Sequence, residues 1–275
     1  MPRQNEPSDR QLLRSVRVRR GLDLGDHDPR ETFGWDKDES QLHLVNEVVA
    51  IGELQQRLFA ERRHSLLIVL QAMDAGGKGG VIREVLAGIN PAGITVTTFG
   101  VPGEAELAHD YLWRVHRHTP ADGHIAVWDR SHYEDVLVVR VKELAPEEVW
   151  NRRYGHIVAF EQLLADEGTA IVKLFLNISK EKQRERLQDR IDSPDERWKF
   201  RLGDLEDRQR WPQFQEAYHD ALVRTSKRRA PWYVVPGDRK WVRNLVVARI
   251  VRRTLEELDP QYPEREEGIA GLVIG

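Results

Sequence analysis

Apolar and polar positions alternate in blocks along the chain. Apolar runs of strand length occur at 66–71, 94–99, 125–128, 170–176 and 232–236. Between them apolar residues recur at spacings of three and four, which predicts helices. Leu44, Val45, Val48, Val49, Ile51, Leu54 and Leu58 form one such series, and Ile82, Val85, Leu86 and Ile89 another. Further helices are expected over about 104–118, 146–165, 180–192 (broken near Pro194), 204–226 and 240–258, the last of them amphipathic. Strands alternating with helices imply a parallel sheet covered on both faces. The prediction is one α/β domain over 41–258. Residues 1–40 are polar, with Arg14, Arg17, Arg19 and Arg20 clustered, and read as an N-terminal arm rather than a core element. Residues 259–275 are rich in Pro and Glu and read as a loose C-terminal tail.

Composition narrows the class. With 275 residues, 40% hydrophobic and 32% charged, the chain can bury a real core beneath a charged surface. No apolar run approaches the roughly 18 residues that span a bilayer, so no membrane association is expected. Residues 1–8 carry no apolar segment after their basic residue, which argues against a signal peptide and makes the cytoplasm the expected location. The absence of cysteine excludes disulfides, thiolate catalysis and cysteine-ligated zinc. A net charge of −3 gives no reason to expect nucleic acid as a partner. Arginines outnumber lysines 33 to 9. That bias fits either a GC-rich genome or many guanidinium forks for phosphate, and composition does not separate the two.

The strongest chemical signal follows the first strand. Leu66 to Gln71 run into Ala72-Met73-Asp74-Ala75-Gly76-Gly77-Lys78-Gly79-Gly80, and a helical pattern begins there. A strand, a glycine-rich loop with a lysine and a helix N-terminus together surround a phosphate with backbone N–H groups and positive charge. The match to the standard nucleotide loop is imperfect. Ala72 replaces its first glycine, and Gly79 replaces the Ser/Thr that would hold Mg²⁺. Asp74 inside the loop needs a counter-charge, either Lys78 or a metal ion; a turn-forming Asx role is the bland alternative.

The second signal is the strand 125–128 ending in Asp129, with Arg130 next. It places a carboxylate at the carboxyl edge of the sheet, where open parallel sheets bind ligands. In phosphate-loop proteins such an aspartate holds Mg²⁺. Asp74 and Asp129 together are therefore candidate metal anchors in place of the missing hydroxyl, and Arg130 is placed to meet the transferring phosphate. A strand-end Asp-Arg pair capping a helix is the alternative. A third segment, about 180–207, is arginine-rich and bent at Ser193-Pro194-Asp195, as a helical lid over phosphates would be. Arg186 and Arg190 lie one helical turn apart. Between 180 and 210 the acidic residues nearly match the basic ones, so a solvated, salt-bridged face is the competing reading. The histidines show no metal-binding spacing, although His132 sits beside Asp129.

At these residues the chain resembles the polyphosphate kinase 2 family, relatives of thymidylate-kinase-like phosphate-loop proteins, over about residues 30–258. The resemblance rests on 73–80, on Asp129-Arg130-Ser131-His132-Tyr133-Glu134-Asp135 and the run to Val141, and on Arg186-Leu187-Gln188-Asp189-Arg190. Arg197-Trp198-Lys199-Phe200 and the segment from Ala230 to Pro236 match as well. It implies a three-layer α/β/α phosphate-loop kinase fold with a helical lid, and reversible transfer of the terminal phosphate of inorganic polyphosphate to nucleotides with Mg²⁺. Carried over by motif, Asp74, Lys78, Asp129, Arg130 and Arg190 would be catalytic. Ala75, Gly76, Gly77, Lys78, Gly79, Gly80, Arg186 and Arg190 would hold phosphates. His132, Tyr133, Glu134, Asp135 and Arg140 would bind the nucleotide, and Asp74 and Asp129 the metal. The His-Tyr-Glu-Asp version of the second motif is similar to the branch accepting AMP, or AMP and ADP; the diphosphate-restricted branch typically has Trp-Tyr-Asn-Arg there. Val81 stands where many relatives carry threonine. The expected partners are polyphosphate, adenine or guanine nucleotides, and further copies of the chain in a dimer or tetramer.

The chemistry fits on its own account. A nucleotide phosphate is already an anionic nucleophile, so no general base is needed and none is evident; charge neutralisation and in-line positioning suffice. An ATP-dependent small-molecule kinase and a non-catalytic nucleotide-binding regulator are the other readings of the same loop.

Overall fold

The computed structural model describes residues 7–264, 266, 269, 273 and 274. Residues 1–6, on which the signal-peptide argument partly rests, and much of the expected tail lie outside the described residues. The elements run in the order α1 (Asp9–Val16), α2 (Lys37–Glu61), β1 (Ser65–Gln71), α3 (Lys78–Val85), β2 (Ile94–Thr98), α4 (Glu104–Leu107), α5 (Trp113–His116) and β3 (Ile125–Asp129). They continue through α6 (Val138–Val141), α7 (Glu147–Asp166), β4 (Thr169–Asn177), α8 (Lys180–Asp192), α9 (Gly203–Gln209), α10 (Trp211–Thr225), β5 (Trp232–Pro236) and α11 (Lys240–Leu258).

The five strands form one parallel sheet in the order β2-β3-β1-β4-β5. Period-two alternation splits the core. Leu66, Ile68 and Leu70 of β1 join the layer built with α2, α3 and α11, while Leu67 and Val69 join the layer built with α7 and α10. This is the three-layer α/β/α arrangement expected. From β1 the chain places β3 on one side and β4 on the other, which opens a crevice at the carboxyl ends of β1 and β3. Register pairs Leu70 with Asp129, so the start of the glycine loop and the strand-end aspartate arrive side by side. Among the described residues no helix is long and apolar enough to cross a membrane.

Four expectations are corrected. The N-terminal segment is not an arm over the residues described. Ser8 and Gln11 form a capping box on α1, Leu12 and Val16 are buried, and Val18 N–H donates to Trp232 O at 2.9 Å. Arg17 bridges Tyr233 in antiparallel fashion, so this segment covers the outer edge of β5. The helix expected over 104–118 is two single turns, because the Asp110 carboxylate accepts from Leu112 N–H and Trp113 N–H and starts a new helix. The one expected over 204–226 restarts at Trp211, where Pro212 brings no N–H of its own and suits a first turn. Finally, α11 is buried on most of its surface, including Arg243, Asn244 and Arg249, because it lies between α2 and the sheet.

Candidate active site

The glycine loop is held from several directions. Ala75 (φ 60°) and Gly77 (φ 98°) are left-handed, Gly76 N–H donates to Met73 O at 2.9 Å, and α3 starts at Lys78. Lys78 is buried, and its Nζ lies 3.8 Å from Asp129 Oδ1. Across the crevice Phe99 N–H donates to Asp129 O at 3.0 Å, and Arg130 N–H to Leu70 O at 3.1 Å. Those bonds fix the turn in which Arg130 takes φ 64°, a conformation that costs a non-glycine residue of order 1 kcal/mol. Arg130 Nη2 then donates to Asp74 Oδ1 at 2.7 Å. The fold thus gathers Asp74, Lys78, Asp129 and Arg130 at one place. Burial works against the charge of Arg130, but Glu134 and Asp74 outweigh it and hold its pKa above the ordinary value. Burial also pushes the Glu134 carboxyl up, against the pull of Arg130 and Lys78.

Asp129 Oδ1 is buried and accepts no hydrogen bond. Such an oxygen fits a hard cation such as Mg²⁺. Asp74 offers less, because its Oδ1 is already engaged by Arg130. Among the described residues no group of three or more His, Asp or Glu converges on a point, so a cage made of protein alone is absent there. Magnesium commonly takes one or two carboxylates with waters and substrate phosphate oxygens.

The other predicted residues separate into two groups. Arg190 lines the cavity beside the loop, with Nη1 3.7 Å from Asp204 Oδ2. Arg186, expected on phosphate, is a brace. Its guanidinium donates to Ala75 O (3.1 Å), Gly76 O (3.2 Å), Gly237 O (2.7 Å) and Asp238 O (3.1 Å), which leaves it little to offer a ligand. Of the five residues expected on the nucleotide, only Glu134 reaches the cleft with Asp74 and Arg130. His132 and Tyr133 are buried in the opposite layer. Tyr133 Oη donates to Glu161 Oε1 or Thr225 Oγ1 (both 2.8 Å) and accepts from Lys173 Nζ (2.9 Å), while His132 Nε2 lies 3.3 Å from Glu161 Oε1. Asp135 pairs with Arg153 at 2.9 Å, and Arg140 with Asp220 and Glu216 at 2.6 and 2.5 Å. The motif reads as contiguous in sequence, but its tight 3-10 turn points successive side chains in different directions.

One residue escaped the sequence reading. Arg243, on α11, is 2% exposed and sits against the glycine loop, with its own hydrogen bonds going to Asn244 Oδ1. Among the described residues no carboxylate forms an ion pair with it, and its pKa falls to about 10, through burial first and then the nearby Arg186 and Arg83. A cation among Val242, Leu245 and Val246 in a helical apolar run was the available signal. The loop and Arg243 border a cavity of about 590 Å³ whose walls carry Lys37, Arg83, Arg186, Arg190, Lys240 and Arg243 against three carboxylates. A buried guanidinium without a carboxylate is costly, and an anionic ligand supplies the missing partner.

Known proteins match this arrangement. The family described as Polyphosphate kinase 2 (PPK2) matches residues 34–263. An AMP/ADP-polyphosphate phosphotransferase from Meiothermus ruber is 57% identical over 224 residues, covering 82% of this chain and 84% of that one. An ADP-polyphosphate phosphotransferase from Rhodopseudomonas palustris is 43% identical over 256 residues, covering 88% and 89%. The crystal structure of a polyphosphate kinase 2 from Arthrobacter aurescens TC1 superposes with a TM-score of 0.92 at 38% identity, covering 98% of this chain and 96% of that one.

Proposed function

The chain belongs to the polyphosphate kinase 2 family, and from that membership and the site we propose that it transfers the terminal phosphate of inorganic polyphosphate to AMP or ADP, reversibly and with Mg²⁺. The observation that carries this reading is the meeting of Lys78 and Arg130 with Asp129 and Asp74 at one crevice, cations for a phosphoryl group beside carboxylates for its metal. Such a site stabilises charge on a phosphoryl group and orients it, which is what transfer to an anionic acceptor requires. Polyphosphate lies over the glycine loop and along the cationic cavity, with Arg190 and Arg243 facing it. The acceptor enters from the side of Arg130 and Glu134. Asp129, with help from Asp74, would hold the metal ion, which would supply positive charge to offset that of the phosphates. The acceptor preference acts through Glu134, since the other motif side chains point away, and the relative named for both AMP and ADP supports acceptance of both.

The helix α2 exposes Leu42, Val45 and Val49 along one stripe, which supports assembly into a homo-oligomer that covers them. A cytoplasmic location goes with nucleotides as substrates. Purified protein mixed with polyphosphate, Mg²⁺ and AMP or ADP should form ADP and ATP. No nucleotide product under any of these conditions refutes the proposal; ATP consumed on a non-nucleotide acceptor points to a small-molecule kinase, and binding without turnover to a regulator.

A further inference from the structure

Two segments that together carry seven basic residues meet at the amino edge of the sheet, the edge opposite the glycine loop. The Val18–Trp232 hydrogen bond and the bridge of Arg17 to Tyr233 dock the segment after α1 onto the start of β5. Arg17 Nη2 donates to Arg228 O at 3.2 Å, and Arg19 Nη2 to Arg14 O at 2.9 Å. The segment carrying Arg14, Arg17, Arg19 and Arg20 is thereby docked against the strand that follows the loop carrying Lys227, Arg228 and Arg229, and Arg17 reaches that loop directly. A cavity of about 180 Å³ opens there, lined by Arg17, Arg228 and Arg229, with Glu257 as its one acidic lining residue.

A chain rich in arginine forms some clusters by chance; this one sets unpaired cations on two segments docked side by side and beside a cavity lined by three arginines. Some arginines elsewhere meet carboxylates: Arg140 with Glu216 and Asp220, Arg153 with Asp135, Arg252 with Asp9, Glu47 and Glu256. In the patch only Arg229 does, with Asp166 at 2.5 Å. Arg14, Arg17, Arg19, Arg20, Lys227 and Arg228 form no ion pair among the described residues. Unneutralised cations held together on a protein of net charge −3 repel one another and create a local positive field.

We propose that this patch is a second anchoring site, for the distal part of a long polyphosphate chain whose reacting end lies at the glycine loop. The inference rests on the proposed substrate. A linear polyanion gains affinity at such a surface by releasing its counterions, and arginine grips phosphate in bidentate fashion. The geometry sets a length requirement. Trp241 and Arg243 at the start of α11 border the catalytic cavity, and Thr254, Glu257 and Leu258 at its end border the patch. At the helical rise, 241 to 258 spans roughly 25 Å. Tripolyphosphate cannot bridge that distance, whereas long chains can.

The test is a variant with Arg14→Gln, Arg19→Gln, Arg20→Gln and Arg228→Gln, which touches no residue of the catalytic cleft and leaves Arg17 in its bridge. For long-chain polyphosphate the KM should rise about tenfold, and the slope of its logarithm against log salt should flatten by about 3, the loss of four single-strand contacts. The KM for tripolyphosphate and both kcat values should stay as in the unaltered protein, which also shows that the variant folds. Equal KM shifts for short and long chains, or no shift for long chains, overturn the proposal. So does single-stranded RNA that displaces long-chain polyphosphate from the patch at lower concentration than polyphosphate itself. If neither chain is turned over, the substrate reading has failed instead. Filter binding of labelled long-chain polyphosphate to the two proteins then still decides the patch: retention equal for both overturns it.

Discussion

The guanidinium of Arg243 occupies the space that a Cβ on Gly77 would need. The same group would stand 2.8 Å from a Cβ on Gly80. Two glycines of this segment are therefore shaped around a buried cation contributed by the last helix.

Replacing Arg243 with Met should separate stability from binding. Among the described residues the guanidinium forms no ion pair with a carboxylate, and its pKa is down to about 10 through burial, Arg186 and Arg83, only partly offset by Glu84, so it stands as a poorly compensated buried charge. The ligand-free variant should unfold at a temperature equal to or above that of the parent, with a gain of about 1 kcal/mol. Its KM for polyphosphate should rise at least tenfold, as when one partner of a buried charge pair is lost. Thermal melts with and without polyphosphate, together with initial rates, check both halves. A destabilised variant with unchanged KM would show that Arg243 serves packing alone.

The loop glycines should differ sharply from one another. A Cβ on Gly79 meets nothing within 4 Å, so Gly79→Ser, which restores the hydroxyl of the standard motif, should fold and keep most of its activity. Gly77→Ala places a side chain at φ 98° against Arg243 and should lose stability by more than about 1 kcal/mol, with activity falling alongside. Urea melts and rate assays on the pair read the contrast.

Lys78→Ala and Asp129→Asn should give folded protein with kcat lower by about 10³, because each removes charge from the transferring group or its metal. Circular dichroism confirms the fold, and near-normal turnover would remove either residue from the site.

Tyr133→Phe should act on stability rather than on nucleotide choice. The hydroxyl lies in the dry layer among Glu161, Thr225 and Lys173, and its loss leaves buried groups short of a partner at about 1–3 kcal/mol. The KM values for AMP and ADP should stay within about twofold. A change in their ratio would return Tyr133 to the nucleotide site.

Asp135 gives a pH dependence whose sign follows from burial. Desolvation lifts its pKa from 3.8 to about 6 despite Arg153, so the folded state binds the proton more tightly than the unfolded one. Its contribution therefore declines as pH rises from about 4 to about 6, by about 3 kcal/mol, and is recovered as pH falls. Asp135→Asn should flatten the stability–pH curve across that window, measured by denaturant melts. Glu134, raised for the same reason, leaves a residual slope.

How far the sequence could be read depended on the range of the interactions. The five strands, the glycine loop and Asp129-Arg130 were legible because apolar runs and loop chemistry are local. The break at Asp110 was hidden because a side-chain cap there outcompetes a helical continuation. Spacing could not show that Arg186 spends its donors on Gly237 and Asp238, residues some fifty positions away in the chain. Arg243 was invisible for the same reason, and His132 and Tyr133 looked like site residues only because they neighbour Arg130 in the chain.

The four carbonyls gripped by Arg186 tie α8 simultaneously to the glycine loop and to the turn after β5. Gln183 adds a fifth such tie, to Asp74 O at 3.1 Å. Rotation of α8 as a body would unfasten the glycine loop. The position of α8 is therefore fixed by the backbone of two loops at once, so losing Arg186 would loosen the glycine loop and the turn after β5 together.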